Sequence, residues 1–181
     1  MILNFALNKA VMTEAEKRIK QLETRLKDGN ASTVIDTITS LRSEEPCTGA
    51  IRLLADLYSC STNSLIRKRV QEFMNDMKES SLRGEVIEEI RRKNRPETTR
   101  MLVSSCWQSG LDYSHYASDF AMIFNSGDYE TAIECFTVIE GCAPHITRKS
   151  KDHIIIILKE NSDIGSPDKS ALMKELISVL S

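Results

Sequence analysis

The middle of this chain repeats a unit that consists of two successive stretches of sequence. Apolar residues recur with the same period in both stretches. The spacing is 33 residues from one unit to the next, and then 33 or 32 residues to the third unit. In the first stretch, Leu54 aligns with Ile87 and Phe120, and Leu57 aligns with Ile90 and Ile123. In the second stretch, three positions align: Arg67 with Arg100 and Ala132; Val70 with Val103 and Cys135; and Met74 with Trp107 and Ile139. A repeated unit of this length cannot bury its apolar side alone, so the pattern predicts units that stack on one another.

Each unit reads as two amphipathic helices with a short break between them. Asp28-Gly29-Asn30 separates apolar stripes around 19–26 and 34–41, and Pro46 opens a third helix that ends near Ser61. The remaining predicted helices cover about 62–78, 82–93, 96–109, 112–124, 128–140, 147–160 and 167–180. Glycine at 110 and 141 marks two helix ends, and Ser166 with Pro167 opens the last helix.

The composition agrees with a helical chain, since 7 Gly and 4 Pro among 181 residues are few for a loop-rich β fold. We therefore expect an all-α fold, a right-handed α-solenoid of about five antiparallel helical hairpins that form a single domain over residues 1–181. The expected units are roughly 13–43, 46–78, 82–110, 112–142 and 145–181. The expected core contains Leu54, Leu57, Val70, Met74, Ile87, Ile90, Val103, Trp107, Phe120, Ile123, Phe136 and Ile139. For Trp107 the alternative is an exposed residue that contributes to binding.

The second helix of the middle units resembles HEAT repeats, whose second helix carries an apolar residue, an arginine, a small apolar residue and a larger one. Ile66-Arg67, Val70 and Met74 match this pattern, and Thr99-Arg100, Val103 and Trp107 follow it closely. The segment 127–144, which begins Gly127-Asp128-Tyr129, is similar to the second helix of a tetratricopeptide repeat. Both resemblances imply an α-solenoid.

Charge, cysteine content and hydropathy point to a soluble cytoplasmic protein. With 24 Lys and Arg against 26 Asp and Glu, the net charge of -2 attracts neither nucleic acid nor an anionic membrane to the chain as a whole. The odd number of five cysteines and their spacing predict free thiols. The most apolar run, 154–158, is far shorter than a membrane span, and the N-terminal segment lacks the basic region of a signal peptide.

Few residues suggest chemistry, and no cofactor is expected. Cys142 and His145 offer two metal ligands where a site needs three or four, so a helix end at Gly141 and Pro144 explains them better. His115 and Asp119 lie four residues apart and could pair on one helix, as surface salt bridges also do. If the chain were an enzyme, these two residues and the tyrosines at 113 and 116 would be the first candidates.

A basic stretch is the charge feature most open to a functional interpretation. It comprises Arg91-Arg92-Lys93-Asn94-Arg95, with Arg83 and Arg100 on either side. Together with Arg67 one unit earlier, it could form a basic stripe for an acidic partner or a phosphate backbone. The alternative is structural, because the HEAT resemblance implies an arginine between neighbouring units, and basic residues also favour helix C-termini.

The fold expectation leads to a function hypothesis, because solenoids expose an extended concave surface. We expect a non-enzymatic scaffold or adaptor that binds another protein there, and no membrane. The runner-up is a nucleic-acid-binding module that uses the stretch 83–100. The second helices would line the concave side, where the expected solvent-facing contacts are Arg67, Gln71, Arg100, Ser104 and Gln108.

Overall fold

A computed structural model describes residues 12–160 and 167–181, and their backbone forms helices and connecting turns but no β-strand. The described helices are α1 (Glu14–Leu26), α2 (Ala31–Ser40), α3 (Ala50–Cys60), α4 (Ser64–Asn75), α5 (Arg83–Arg91), α6 (Pro96–Gln108), α7 (Ala117–Ser126), α8 (Tyr129–Cys142), α9 (Arg148–Glu160) and α10 (Pro167–Leu180). The all-α expectation is confirmed for this part of the chain. The N-terminal segment 1–11 and the predicted N-cap Ser166 lie outside it.

Side chains at the helix starts explain where several helices begin. The Thr13 hydroxyl accepts the backbone N–H of Glu16, whose carboxylate accepts the N–H of Thr13, so α1 begins with a capping box. Asn63 caps α4 and Asp128 caps α8 in the same manner, each accepting from a backbone N–H of the first turn. Proline stands in the first turn of α6, as predicted.

Three predicted helix boundaries are wrong. The third helix begins at Ala50 rather than near Pro46, because Gly49 adopts a left-handed φ of 90° that no helix continues. A 3₁₀ turn at Ser114–Tyr116 delays the start of α7. Gly141 lies inside α8, which ends at Cys142 and passes directly into a 3₁₀ turn, so no left-handed cap is needed there.

Each odd-numbered helix of the described chain contacts the helix that follows it, from α1 with α2 to α9 with α10, and we call two such helices a helix pair. The even-numbered helices α2, α4, α6, α8 and α10 each contact the next one in the series. Among the odd-numbered helices, α1 packs on α3, α3 on α5 and α7 on α9. Every substantial helix contact therefore lies within one pair or between consecutive pairs.

The predicted core is largely confirmed, with one correction. Leu54, Val70, Met74, Ile87, Ile90, Val103, Phe120 and Ile139 are buried, and Leu57, Ile123 and Phe136 are half-buried against them. Trp107 is 45% exposed, so its assignment to the core is wrong. Trp107 lies seven residues, about two helical turns, after half-buried Arg100, so both residues lie on the same side of α6. This is the solvent-accessible side of α6, since the residues between them, 101–106, are all buried.

The apolar run near the C-terminus forms part of α9, as predicted. Ile154 and Leu158 are buried on one side of this helix, while Ile156 is 55% exposed on the other. None of the described helices combines the length and the apolar character that a membrane crossing needs.

Candidate functional site

The two arginines of the predicted contact surface are engaged within the fold. Arg67 lies over the ring of Tyr58, with its guanidinium carbon 4.1 Å from the ring centroid. Arg100 donates to Asp128 at 3.1 Å and also pairs with Glu130, so it links α6 to the start of α8. Both side chains are half-buried, and their positive charges are compensated or stacked rather than free along a stripe.

The polar members of that surface form a short network between two helices. The Asn75 side-chain amide of α4 donates to Gln108 at 2.7 Å, and Gln108 donates to the Ser104 hydroxyl at 2.7 Å. Ser104 is only 9% exposed, so its predicted solvent-facing position is wrong, because α6 is covered on both sides by other helices. Gln71 is exposed on α4, as expected.

Trp107 dominates the open side of α6. Its indole N–H donates to the Glu134 carboxylate of α8 at 2.7 Å, which fixes the direction of the ring between the two helices. Ile133 is exposed beside Glu134, and Thr137 lies one turn further along the same helix. We call Trp107, Gln108, Ile133, Glu134 and Thr137 the Trp107 surface.

A cavity of about 220 Å³ opens next to the Trp107 surface. Trp107 and Thr137 form part of its wall, and Asp112 and His145 contribute polar side chains from the turns that follow α6 and α8. Gly110 makes the first of these turns possible, since its φ of 70° is left-handed. The cavity thus places an exposed aromatic ring, a hydroxyl, a carboxylate and an imidazole around one space.

Burial and hydrogen bonds shift the pKa values of several groups around this cavity. Burial raises the pKa of the Cys106 and Cys142 thiols, so both remain protonated and weakly nucleophilic at neutral pH. The backbone N–H of Ser114, which donates to Asp112, lowers the pKa of that carboxyl. Cys142 and His145 both line the cavity, but the described residues contain no group of three or more potential metal ligands.

The other pair that sequence analysis proposed for chemistry is His115 and Asp119, and Asp119 forms an ion pair with Arg91 instead. Arg91 donates to both oxygens of the Asp119 carboxylate, at 2.7 and 3.0 Å. His115 is exposed in the 3₁₀ turn before α7, while Tyr113 is fully buried and packs edge-on against Phe120 at 6.1 Å. These contacts give Asp119 and Tyr113 roles in packing.

Most arginines of the basic stretch connect one helix pair to another. Besides the bond from Arg91 to Asp119, Arg92 pairs with Glu89 and reaches Asp56 of the preceding pair. Arg95 donates to the backbone oxygen of Ser59, and Arg83 to that of Asp112. Lys93 is exposed and forms no ion pair with any described residue. The structural interpretation of this stretch accounts for its arginines.

Sequence reasoning missed Ile133 and Glu134 and placed Trp107 in the core. A signal was nevertheless available, because Trp107 shares a helix face with Arg100, which was expected to face solvent. Glu134 could not be found in this way, since its role depends on how α6 and α8 are placed against each other.

Comparison of the chain with protein-family models, with curated proteins and with solved structures finds no match.

Proposed function

We propose that this chain is a short α-solenoid that acts as a non-enzymatic scaffold or adaptor, and that it binds another protein through the Trp107 surface. The architecture in this proposal is supported by the shared sequence period and by the largest helix contacts, which join helices of the same pair or of neighbouring pairs. In such an array the even-numbered helices form one continuous layer, and the Trp107 surface lies on that layer.

The observation that carries the proposal is the exposure of the only tryptophan in the chain. Tryptophan is strongly enriched among the residues that contribute most to protein binding, because it buries a large apolar area and keeps a polar N–H. Here the bond to Glu134 already fixes the ring in the unbound protein. A ring with a fixed orientation loses little side-chain entropy on binding, so more of the contact energy contributes to affinity.

The surroundings of Trp107 indicate what the partner offers. An apolar side chain can pack on the indole and Ile133, and a neighbouring group can enter the 220 Å³ cavity. Carboxylates at Glu134 and Asp112 favour a hydrogen-bond donor or a positive charge next to that apolar group. The Trp107 surface therefore favours a partner with apolar and basic groups, whereas a row of free arginines would favour an acidic partner.

The arginine contacts favour this proposal over nucleic-acid binding. A phosphate backbone is bound by lysine and arginine side chains that are free to release counterions. In the stretch 83–100 the arginines at 83, 91, 92, 95 and 100 each donate to a carboxylate or a carbonyl of the fold. Binding to phosphate would have to break these contacts.

The test compares partners captured from a native extract by the wild-type chain, by Trp107→Ala and by Met122→Ala. Met122 is a matched control, because it is 51% exposed on α7 and belongs neither to the Trp107 surface nor to the lining of the cavity beside it. We expect at least one protein to be captured by the wild type and the control but lost with Trp107→Ala, and then to shift the indole emission on titration. Thermal melts should show that all three chains are folded. If every captured protein binds Trp107→Ala as well as the wild type, the Trp107 surface is not the binding site.

A further inference from the structure

A second cavity, of about 300 Å³, lies between the turn that follows α2 and the turn that follows α4. Its floor is apolar and consists of Leu41, Ala50, Phe73, Met77 and Leu82. Its rim consists mainly of charged side chains from residues 42–45 and 76–79. We call this cavity the loop groove. It shares no residue with the Trp107 surface or the cavity beside it.

The walls of the loop groove are held in place by specific contacts. The 3₁₀ turn Leu41–Ser43 extends α2, and Glu44 then takes an extended conformation that leads the chain along the groove. At the end of this segment the Gly49 N–H donates to the Glu85 carboxylate at 2.9 Å, which ties the turn to α5. On the opposite side Lys78 donates to the backbone oxygen of Ser109 at 2.6 Å. The groove is therefore a preformed feature that a ligand does not have to open.

The rim of the groove carries an excess of negative charge. It contains four carboxylates, at 44, 45, 76 and 79, and two cations, Arg42 and Lys78. Arg42 pairs with Asp76 at 2.8 Å, and the ammonium of Lys78 is directed at the carbonyl of Ser109. Glu44 and Glu79 are exposed and form no ion pair with any described residue. Two carboxylates thus lie beside an apolar floor without an ion pair to any residue in the described part of the chain.

Further positive charge lies along α1. A neighbouring cavity of about 270 Å³ shares Leu41, Glu44 and Cys47 with the loop groove and continues toward Arg18 and Arg25. Arg18 lies 3.8 Å from the highly exposed carboxylate of Glu45. The loop groove thus carries the unpaired carboxylates at 44 and 79, and the arginines of α1 lie in the neighbouring cavity.

We propose that the loop groove binds a segment of a partner protein that inserts an apolar side chain between Phe73 and Met77 and places a lysine or arginine beside Glu44 and Glu79. A cavity of this volume lies at the lower end of the range of small-ligand sites and suits one large apolar side chain. The apolar contact supplies affinity, and the two unpaired carboxylates select partners with basic flanking residues.

The experiment selects peptides from a random display library on the full-length chain and measures their affinity by fluorescence anisotropy. We expect enrichment of peptides with Lys or Arg next to Leu, Phe or Met. Charge reversal in Glu44→Lys/Glu79→Lys should weaken them about tenfold or more, because each attraction becomes a repulsion. The matched control Glu140→Lys/Glu175→Lys changes the net charge by the same amount at two other exposed carboxylates and should leave the affinity within about twofold.

Cysteine labelling locates the bound peptide independently. Cys47 lines the loop groove and is half-buried, whereas Cys60 is exposed at the other end of α3. Peptide binding should slow the labelling of Cys47 severalfold and leave the labelling of Cys60 unchanged. Trp107→Ala should have no effect on either result, so failure of this proposal is distinct from failure of the proposed function.

Three outcomes would overturn the proposal. The first is a set of selected peptides without basic residues, and the second is equal binding to Glu44→Lys/Glu79→Lys and the wild type. The third is a groove occupied by a second copy of the chain, which sedimentation would reveal as a dimer that the same double substitution dissociates.

Discussion

The indole of Trp107 reports on its own surroundings, because the chain has no other tryptophan. Its alignment with Met74 and Ile139 predicts a buried ring, whereas the structure exposes it and binds its N–H to Glu134. Repeat alignment identifies equivalent positions along the sequence. It does not specify how far each helix is rotated about its axis, and that rotation decides which equivalent position reaches solvent.

Replacing Glu134 by Ala should therefore mobilise the ring without unfolding the chain. The indole loses its hydrogen-bond acceptor but remains at the surface, where its N–H can bind water, so stability should change by about 1 kcal/mol or less. Acrylamide quenching should increase and the steady-state anisotropy of the indole should fall relative to wild type. Glu140→Ala, an exposed carboxylate on the same helix, serves as the control. A wild-type indole that acrylamide fails to quench would contradict the exposed position.

At the scale of the helices and turns, glycine 49 is the position where backbone conformation matters most. Its φ of 90° suits glycine, and a Cβ built there would lie 3.3 Å from Cδ1 of Ile19. Gly49→Ala should destabilise the fold by about 1–2 kcal/mol, measured by urea unfolding. Gly29→Ala provides the comparison, because a Cβ there would meet no atom within 4 Å. Its effect should stay within about 0.5 kcal/mol. Equal effects of the two substitutions would show that the turn at Gly49 is not strained.

The cap of α8 gives a pH-dependent prediction. Asp128 accepts the backbone N–H of Thr131. Hydrogen bonding to the Thr131 side chain and then to this N–H, with the charge of Arg100, holds the pKa of the Asp128 carboxyl below its ordinary value. The pKa of this carboxyl is lower in the folded protein than in the unfolded chain, where it is about 4. Its ionised form therefore stabilises the fold at pH values above about 4. This stabilisation is lost as the pH falls through the pKa of the folded protein. Asp128→Ala should cost about 1 kcal/mol at pH 7. The difference from wild type should shrink in unfolding experiments below about pH 4.

Asp36→Ala, at an exposed position in the middle of α2, controls for the loss of a carboxylate that caps no helix. A difference between Asp128→Ala and wild type that is constant from pH 7 to acid would assign the effect to the backbone rather than to the charge.

Helix ends were predictable where a side chain or proline marks them, and less so elsewhere. Asp128 and Pro96 locate the starts of α8 and α6 to within one residue. Pro46 did not locate the start of α3, because Gly49 takes a left-handed φ of 90° and its N–H donates to Glu85 on another helix. The glycine is a local signal, but the contact with Glu85 leaves none in the sequence.

On the scale of the whole molecule, arginines hold neighbouring helix pairs together. Arg91 joins α5 to the nearly buried carboxylate of Asp119 on α7, so Arg91→Ala leaves that carboxylate without its cation. We expect a loss of about 1–2 kcal/mol in urea unfolding, at the low end for a buried pair because the arginine itself is half exposed. Lys93→Ala, two residues away and exposed, should change stability by less than about 0.5 kcal/mol. Similar losses for both would remove the structural role of Arg91.

The all-α class and most of the core could be predicted, because each depends on periodicity within the sequence. The residues that the arginines contact could not be predicted. Their partners lie about one unit away along the chain, as with Arg92 and Asp56, and the choice among several nearby carboxylates depends on how the pairs are oriented. For the same reason the predicted contact residues Arg67 and Arg100 occur in stacking and ion pairs rather than in a free basic row.

The placement of the main helix contacts between neighbouring pairs also has a consequence for synthesis. Proteins dominated by local contacts fold rapidly, because little loop entropy is lost before each contact forms. Since a helix pair here packs substantially only on the pairs next to it, each pair has its amino-terminal neighbour available as soon as it leaves the ribosome. The growing chain can therefore extend its core pair by pair.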